Sequence, residues 1–249
     1  IKEDLTFDIE EDSIKELLKN DEYNEHLKVI TDLLPQISKE MNFDTYYEKE
    51  ILPEYEKICQ DVESIFDEKE ALSDSMFNLW QLNETPELIF IPNFIATGDC
   101  FGIKNKMKFY SISSAKINKE NGKREFYPRH VLSNAIHEFS HSFINQSIEE
   151  NNIAEEIKAL SKEKTPKIKE IGLSEDLVKI YGSGYFMECF DRAVTLFLQE
   201  KNDLFNIPEG YFKDEKERGY YFTEEFYKGL SQGQKKSPIL MYLEILKKL

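Results

Sequence analysis

Residues 131–147 read VLSNAIHEFSHSFINQS, and no other stretch constrains the fold as tightly. Leu132, Ala135, Ile136, Phe139 and Phe143 recur at three- and four-residue steps. That spacing predicts a helix with one face buried against the rest of the chain. Ala135 is the small member of the stripe and lets a neighbouring element come close. His137 and His141 are i and i+4, so they stack on one side of the same helix. Glu138 lies about 100° round from His137, near enough to lean over whatever the two imidazoles hold.

Two imidazoles at that spacing suit a zinc ion about 2 Å from each nitrogen, with the adjacent carboxylate off the metal as proton acceptor. A helix with an apolar back and this pattern on its front predicts a zinc hydrolase site. In it, a zinc-held water activated by Glu138 attacks an amide carbonyl. A catalytic zinc usually takes three protein ligands. The chain has only four histidines, His26, His130, His137 and His141, and position 147 is Ser, so the third ligand is not a later histidine. A second helix has to supply it. In YGSGYFMECFDRAVTLFLQE (181–200), Phe186, Met187, Phe190, Ala193, Val194 and Phe197 make an apolar run in which only Glu188, Asp191 and Arg192 are charged. A carboxylate buried there needs a partner. Glu188 is the first choice as ligand, although it could equally form an i,i+4 ion pair with Arg192. Asp191 is the runner-up, or the group that holds a ligand histidine by its second nitrogen. Cys189 is a third option. Tyr181, Tyr185, Tyr220, Tyr221, Arg192 and His130 are candidates to stabilise the oxyanion, with Tyr185 or the Tyr220–Tyr221 pair preferred.

The surroundings of this helix define an α+β chain. Residues 1–85 are helical in pattern, with Ile14, Leu17 and Leu18 in one segment and Ile58, Val62, Ile65 and Phe66 in another. Residues 86–117 are rich in β-branched and aromatic residues and predict two or three short strands. Further helices are expected at 128–147, 151–162, 174–181, 184–200, 222–230 and 237–248. The expectation is one domain, 1–249, with a small mixed sheet of three to five strands over the His-Glu-x-x-His helix and many added helices.

Composition removes several partners. With a net charge of −16, the chain lacks the clustered cations that nucleic acid or anionic membranes require. No apolar run approaches the ~20 residues of a membrane helix. Three distant cysteines, Cys59, Cys100 and Cys189, make no disulfide framework. Ile1 in place of a start methionine suggests a processed chain, hence a secreted or extracytoplasmic protein, with the cytoplasm as the other option.

HEFSHSFIN followed by a helix reading ECFDRAV resembles the zincin metallopeptidases of the glutamate-ligand type, the gluzincins. It is similar, more narrowly, to a bacterial family of zinc metalloproteases with a core near HEFxHSFxN and a downstream Glu-x-x-x-Arg-Ala helix. The segments DEYNEHL and FDTYYEKEILPEYEKI are similar to that family's helical lead-in. The resemblance implies a zincin-like fold, one Zn²⁺ per chain, ligands His137, His141 and Glu188, and Glu138 as general base. It also implies a peptide or protein substrate that pairs along a strand over the cleft, which residues 107–115 would fit. The better-known gluzincins carry Asp four residues after the ligand Glu. Here that position is Arg192 and the acid is at Asp191. Against the peptidase stands a zinc-stabilised binding module without turnover. Substrate specificity and oligomeric state are left open.

Overall fold

The computed structural model describes residues 29, 33, 35–67, 71–97, 100–170, 184–232 and 237–249. The helices expected at 12–20 and 174–181 lie outside the described residues. The chain divides into two compact units, Ile1–Cys59 and Gln60–Leu249. The sequence reading instead has one domain with its change of character near residue 85. The division falls earlier because Trp80, Phe77 and Phe66, all before that point, pack on Phe143 and Phe90 of the later chain.

In the first unit, α1 (Phe43–Tyr46) runs through a π-helical turn, Tyr47–Ile51, into the opening half of α2 (Leu52–Asp67), whose residues from Gln60 on belong to the second unit. Phe43 meets Tyr46 and Tyr47, with ring centroids 6.5 and 6.1 Å apart. Val29, Leu33, Ile37 and Met41 recur at four-residue steps and are exposed.

The second unit is mixed α+β. After α3 (Ala71–Trp80) come β1 (Glu87–Thr97), β2 (Cys100–Asn105), β3 (Lys108–Ile117) and the short β4 (Arg124–Glu125). Then follow α4 (Pro128–Asn151), α5 (Ala154–Glu170), α6 (Tyr185–Lys201), α7 (Tyr211–Glu217), α8 (Thr223–Ser231) and α9 (Pro238–Lys248). The strand order is β1-β3-β2, with β1 parallel and β2 antiparallel to β3, and β4 paired to the end of β3. A two-residue turn at Lys106–Met107 joins β2 to β3, and Lys106 takes the left-handed conformation it requires (φ 54°).

The His-Glu-x-x-His helix is longer than expected. Pro128 opens it at a position where its missing N–H costs nothing, and Asn152 in the left-handed region (φ 59°) closes it. Its back face carries Leu132, Ala135, Ile136, Phe139 and Phe143, all buried as the periodicity predicts. Phe143 is the hub. It stacks on Trp80 at 6.0 Å and meets Phe109 of β3 edge-on at 5.1 Å. A second aromatic group, Phe190, Phe226 and Tyr242, ties α6 to α8 and α9 at centroid distances of 5.0–5.5 Å. Among the described residues, no helix is long and apolar enough to cross a membrane.

Candidate metal centre

Helices α4 and α6 pack in opposite directions. Thr195 stands against His137 (Oγ1 to Nδ1, 3.4 Å), and Glu188, nearly two turns earlier on α6, stands against His141. The imidazoles of His137 and His141 sit edge to face with centroids 4.8 Å apart, and α6 presents two carboxylates to them. Glu188 Oε1 is 3.9 Å from His137 Nε2, and Glu188 Oε2 is 3.6 Å from His141 Nε2. Asp191 Oδ2 is 2.5 Å from His137 Nδ1 and 3.6 Å from His141 Nε2. One donor atom from each of His137, His141 and Asp191 lies within 4.8 Å of the others, so this group could hold a metal.

The buried polar atoms fit a cation. Asp191 is fully buried, and neither of its carboxylate oxygens receives an aligned hydrogen bond among the described residues. Glu138 and Glu188 are 7% and 5% exposed. Glu215 of α7, 2% exposed, accepts from Arg192 at 3.4 Å and from Arg218 at 2.6 Å. Arg192 also donates to Glu188 Oε1 at 2.8 Å and stacks 3.5 Å above the ring centre of Tyr220. Glu138, Glu188, Asp191 and Glu215 set against Arg192 and Arg218 leave two formal negative charges when both imidazoles are neutral, and a proton on His137 offsets one of them. Burial alone opposes a charged His137, but the Asp191 carboxylate outweighs it, and Glu188 and Glu138 add to the effect. Together they push His137 up to about 9 in the metal-free protein.

Glu138 follows His137 on α4 and is buried, and that burial draws its carboxyl above the usual carboxylate range. Its backbone is pinned by β2. A Cβ placed on Gly102 would lie 2.3 Å from the Glu138 carbonyl oxygen, so only glycine lets the strand rest on the helix here.

Other residues singled out from the sequence fall elsewhere. Tyr185, preferred as oxyanion stabiliser, is fully buried. Its hydroxyl donates to the Gly219 carbonyl at 2.6 Å and accepts from the Tyr221 amide at 3.1 Å. That phenol is a tether, with its hydrogen bonds already committed. Cys189 is buried, and burial pushes its thiol up to about 12, so it is a neutral core group. His130 faces Asn134, whose amide reaches His130 Nε2 at 3.1 Å and Cys100 Sγ at 2.9 Å, a turn or more from the other histidines. Tyr220 lies under Arg192, Tyr221 is half-buried, and Tyr181 is outside the described residues. Residues 107–115 do not form an open edge. Residues 108–115 belong to β3, bonded to β1 on one side and β2 on the other, and among the described residues β2 is the unpaired edge beside α4. Alternating composition does not tell a central strand from its neighbour. Thr195, Glu215, Arg218 and Gly102 escape the sequence reading as well. Glu215 lies in KDEKERG, which reads as a solvated charge run, whereas Thr195 is four residues after Asp191 and was open to the same helical argument.

A larger apolar cavity of about 450 Å³ lies on the back face of α4, lined by Phe66, Met76, Phe90, Ile136 and Phe139 among others, away from the histidines. Comparison with protein-family models, with curated proteins and with solved structures finds no match to the chain.

Proposed function

We propose that this protein is a zinc-dependent hydrolase of the zincin type, acting on a peptide bond, with His137, His141 and Glu188 as ligands and Glu138 as general base. The observation that carries the reading is the convergence of two imidazoles and two buried carboxylates from antiparallel helices beside a third buried carboxylate. Distances favour Glu188 over Asp191 as the third ligand. Two donors about 2.0–2.2 Å from one tetrahedral zinc lie about 3.3–3.6 Å apart. Glu188 Oε2 lies 3.6 Å from His141 Nε2, at that spacing, while Oε1, which Arg192 holds, is 3.9 Å from His137 Nε2. Asp191 and His137 Nδ1, at 2.5 Å, are too close for two ligands of one ion and suit a charge-assisted hydrogen bond. Asp191 then orients the His137 ring so that Nε2 faces the ion.

A zinc ion bound there would supply an acidified water and an electrophile for the substrate carbonyl. The chain's own residues do the rest. Glu138 takes the proton released in the attack and returns it to the leaving amine. Arg192 occupies Glu188 Oε1 and leaves Oε2 directed at the centre. Glu215 and Tyr220 hold Arg192 in that position. The zinc-loaded protein is expected to contain about one ion per chain and to cleave a peptide library. Glu138→Gln should retain the zinc while its kcat falls about 10²–10⁴-fold. Full hydrolysis by zinc-loaded Glu138→Gln would refute this mechanism.

A further inference from the structure

The seam between α4 and α6 continues past the histidines. Along α4, Arg129, Ser133, His137 and His141 follow one another at four-residue steps. Along α6, Asp191, Thr195 and Gln199 do the same, with Asp203 just beyond the helix. Because Thr195 stands opposite His137, Gln199 and Asp203 come opposite Ser133 and Arg129. A crevice of about 200 Å³ opens there, lined by Arg129, Leu132, Ser133, Gln199, Asp203 and Leu204.

The polar groups in this crevice have little to do within the protein. Gln199 is only 9% exposed, and its side-chain amide has no hydrogen-bond partner among the described residues. Arg129 stacks on Phe205, 4.3 Å from the ring centre, which sets the plane of its guanidinium. It makes no ion pair among the described residues. The crevice also lies at the start of a 24-residue helix whose N-cap, Tyr127, gives no side-chain hydrogen bond and whose first turn carries no acidic residue.

We infer that this crevice binds a carboxylate of the peptide substrate, with Arg129, Ser133 and Gln199 as its donors. The inference rests on the hydrolase reading for its place in a reaction, since it names part of the substrate. A guanidinium held flat by an aromatic ring matches a carboxylate fork to fork. Asp203 on the opposite lip disfavours a multiply charged anion such as phosphate. A peptide carboxylate brings its own amide N–H, which Asp203 accepts. Ser133 and Arg129 lie about 6 and 12 Å from His137 along the helix axis. At about 3.3 Å per extended residue, the carboxylate therefore sits two to four residues from the bond that is cut.

Direct binding to the metal-free protein tests this without any turnover. Calorimetry would compare alanine-based hexapeptides carrying one Glu at successive positions with their Gln counterparts. All-alanine peptides would be titrated with free and with amidated C-termini. A carboxylate-bearing peptide is expected to bind about tenfold or more tighter than its neutral counterpart. A preference at a Glu position identifies a side chain, and one at the free terminus identifies the chain end. Arg129→Gln should erase the preference. Gln199→Leu, which keeps the size of the side chain and removes its amide, should reduce it several-fold. Equal binding of carboxylate and amide peptides by the wild type overturns the assignment. So does an undiminished preference in either variant. The hydrolase reading fails by a different result, the absence of cleavage by the zinc-loaded protein.

Discussion

Three residues separate Glu188 from Asp191, and the difference in their surroundings decides what each can do. Glu188 is braced by Arg192 and turned toward both imidazoles, while Asp191 lies against the far nitrogen of His137. Asp191→Asn should therefore weaken zinc binding about 10–100-fold, as loss of an outer partner does, and Glu188→Ala should weaken it further. Competition with a chromophoric chelator measures both. A near-complete loss in Asp191→Asn with little change in Glu188→Ala would exchange the two roles. The proton on His137 gives a second handle. With its value raised from 6.5 to about 9, His137 is charged at neutral pH in the metal-free protein and must lose that proton to bind zinc. Zinc affinity should thus climb with pH and level off above about 9. Calorimetry at pH 7.5 in buffers of different ionisation enthalpy should find about one proton released per zinc from this group. Stability of the metal-free protein runs the other way. The His137 contribution is complete below the unfolded value of 6.5 and is lost as pH rises through about 9. At this scale the sequence was legible where spacing alone carried the message, as for His137, Glu138 and His141. It was opaque for Tyr185 and Glu215, whose roles depend on residues 34 and 23 positions away.

At the scale of elements, the long amphipathic helices could be read because a repeat of three and four survives any tertiary context. Helices α4, α6, α8 and α9 all fall near their expected bounds. The sheet was harder. Two or three short strands were expected, yet which strand is central follows from a crossover that places β3 between β1 and β2. The strand offered as a peptide-pairing edge was the wrong member of the hairpin for that reason. Gly102 shows how closely β2 and α4 are fitted. Gly102→Ala would drive a methyl group into the Glu138 carbonyl, and the backbone on both sides must yield. A loss of about 1–3 kcal/mol is expected, together with activity reduced beyond what the stability change explains, because Glu138 moves with its backbone. Thermal unfolding and kcat/KM measured on the same sample check it. An alanine variant with wild-type stability and rate would mean that β2 does not set the position of the base.

Over the whole molecule, with a charge of −16 and buried carboxylates facing the histidines, the proposed metal would be a structural as well as a chemical participant. Zinc at about 100 times its Kd should stabilise the folded chain by about 2.7 kcal/mol. For a chain of this size that raises Tm by about 5–10 °C, and excess chelator should reverse it in a calorimetric scan. No shift on adding zinc would remove the metal from the account.

The tether at Tyr185 has a consequence for how such a protein is made. The first turn of the ligand helix is held by the backbone at Gly219 and Tyr221, and its middle by Phe226 and Tyr242. All four follow His137, His141, Glu188 and Asp191 in the chain. On the ribosome, His137, His141, Glu188 and Asp191 emerge before the residues that secure their arrangement. On the proposed reading, a nascent chain carries these four residues without the frame that aligns them, and metal capture would wait until synthesis has passed Tyr242.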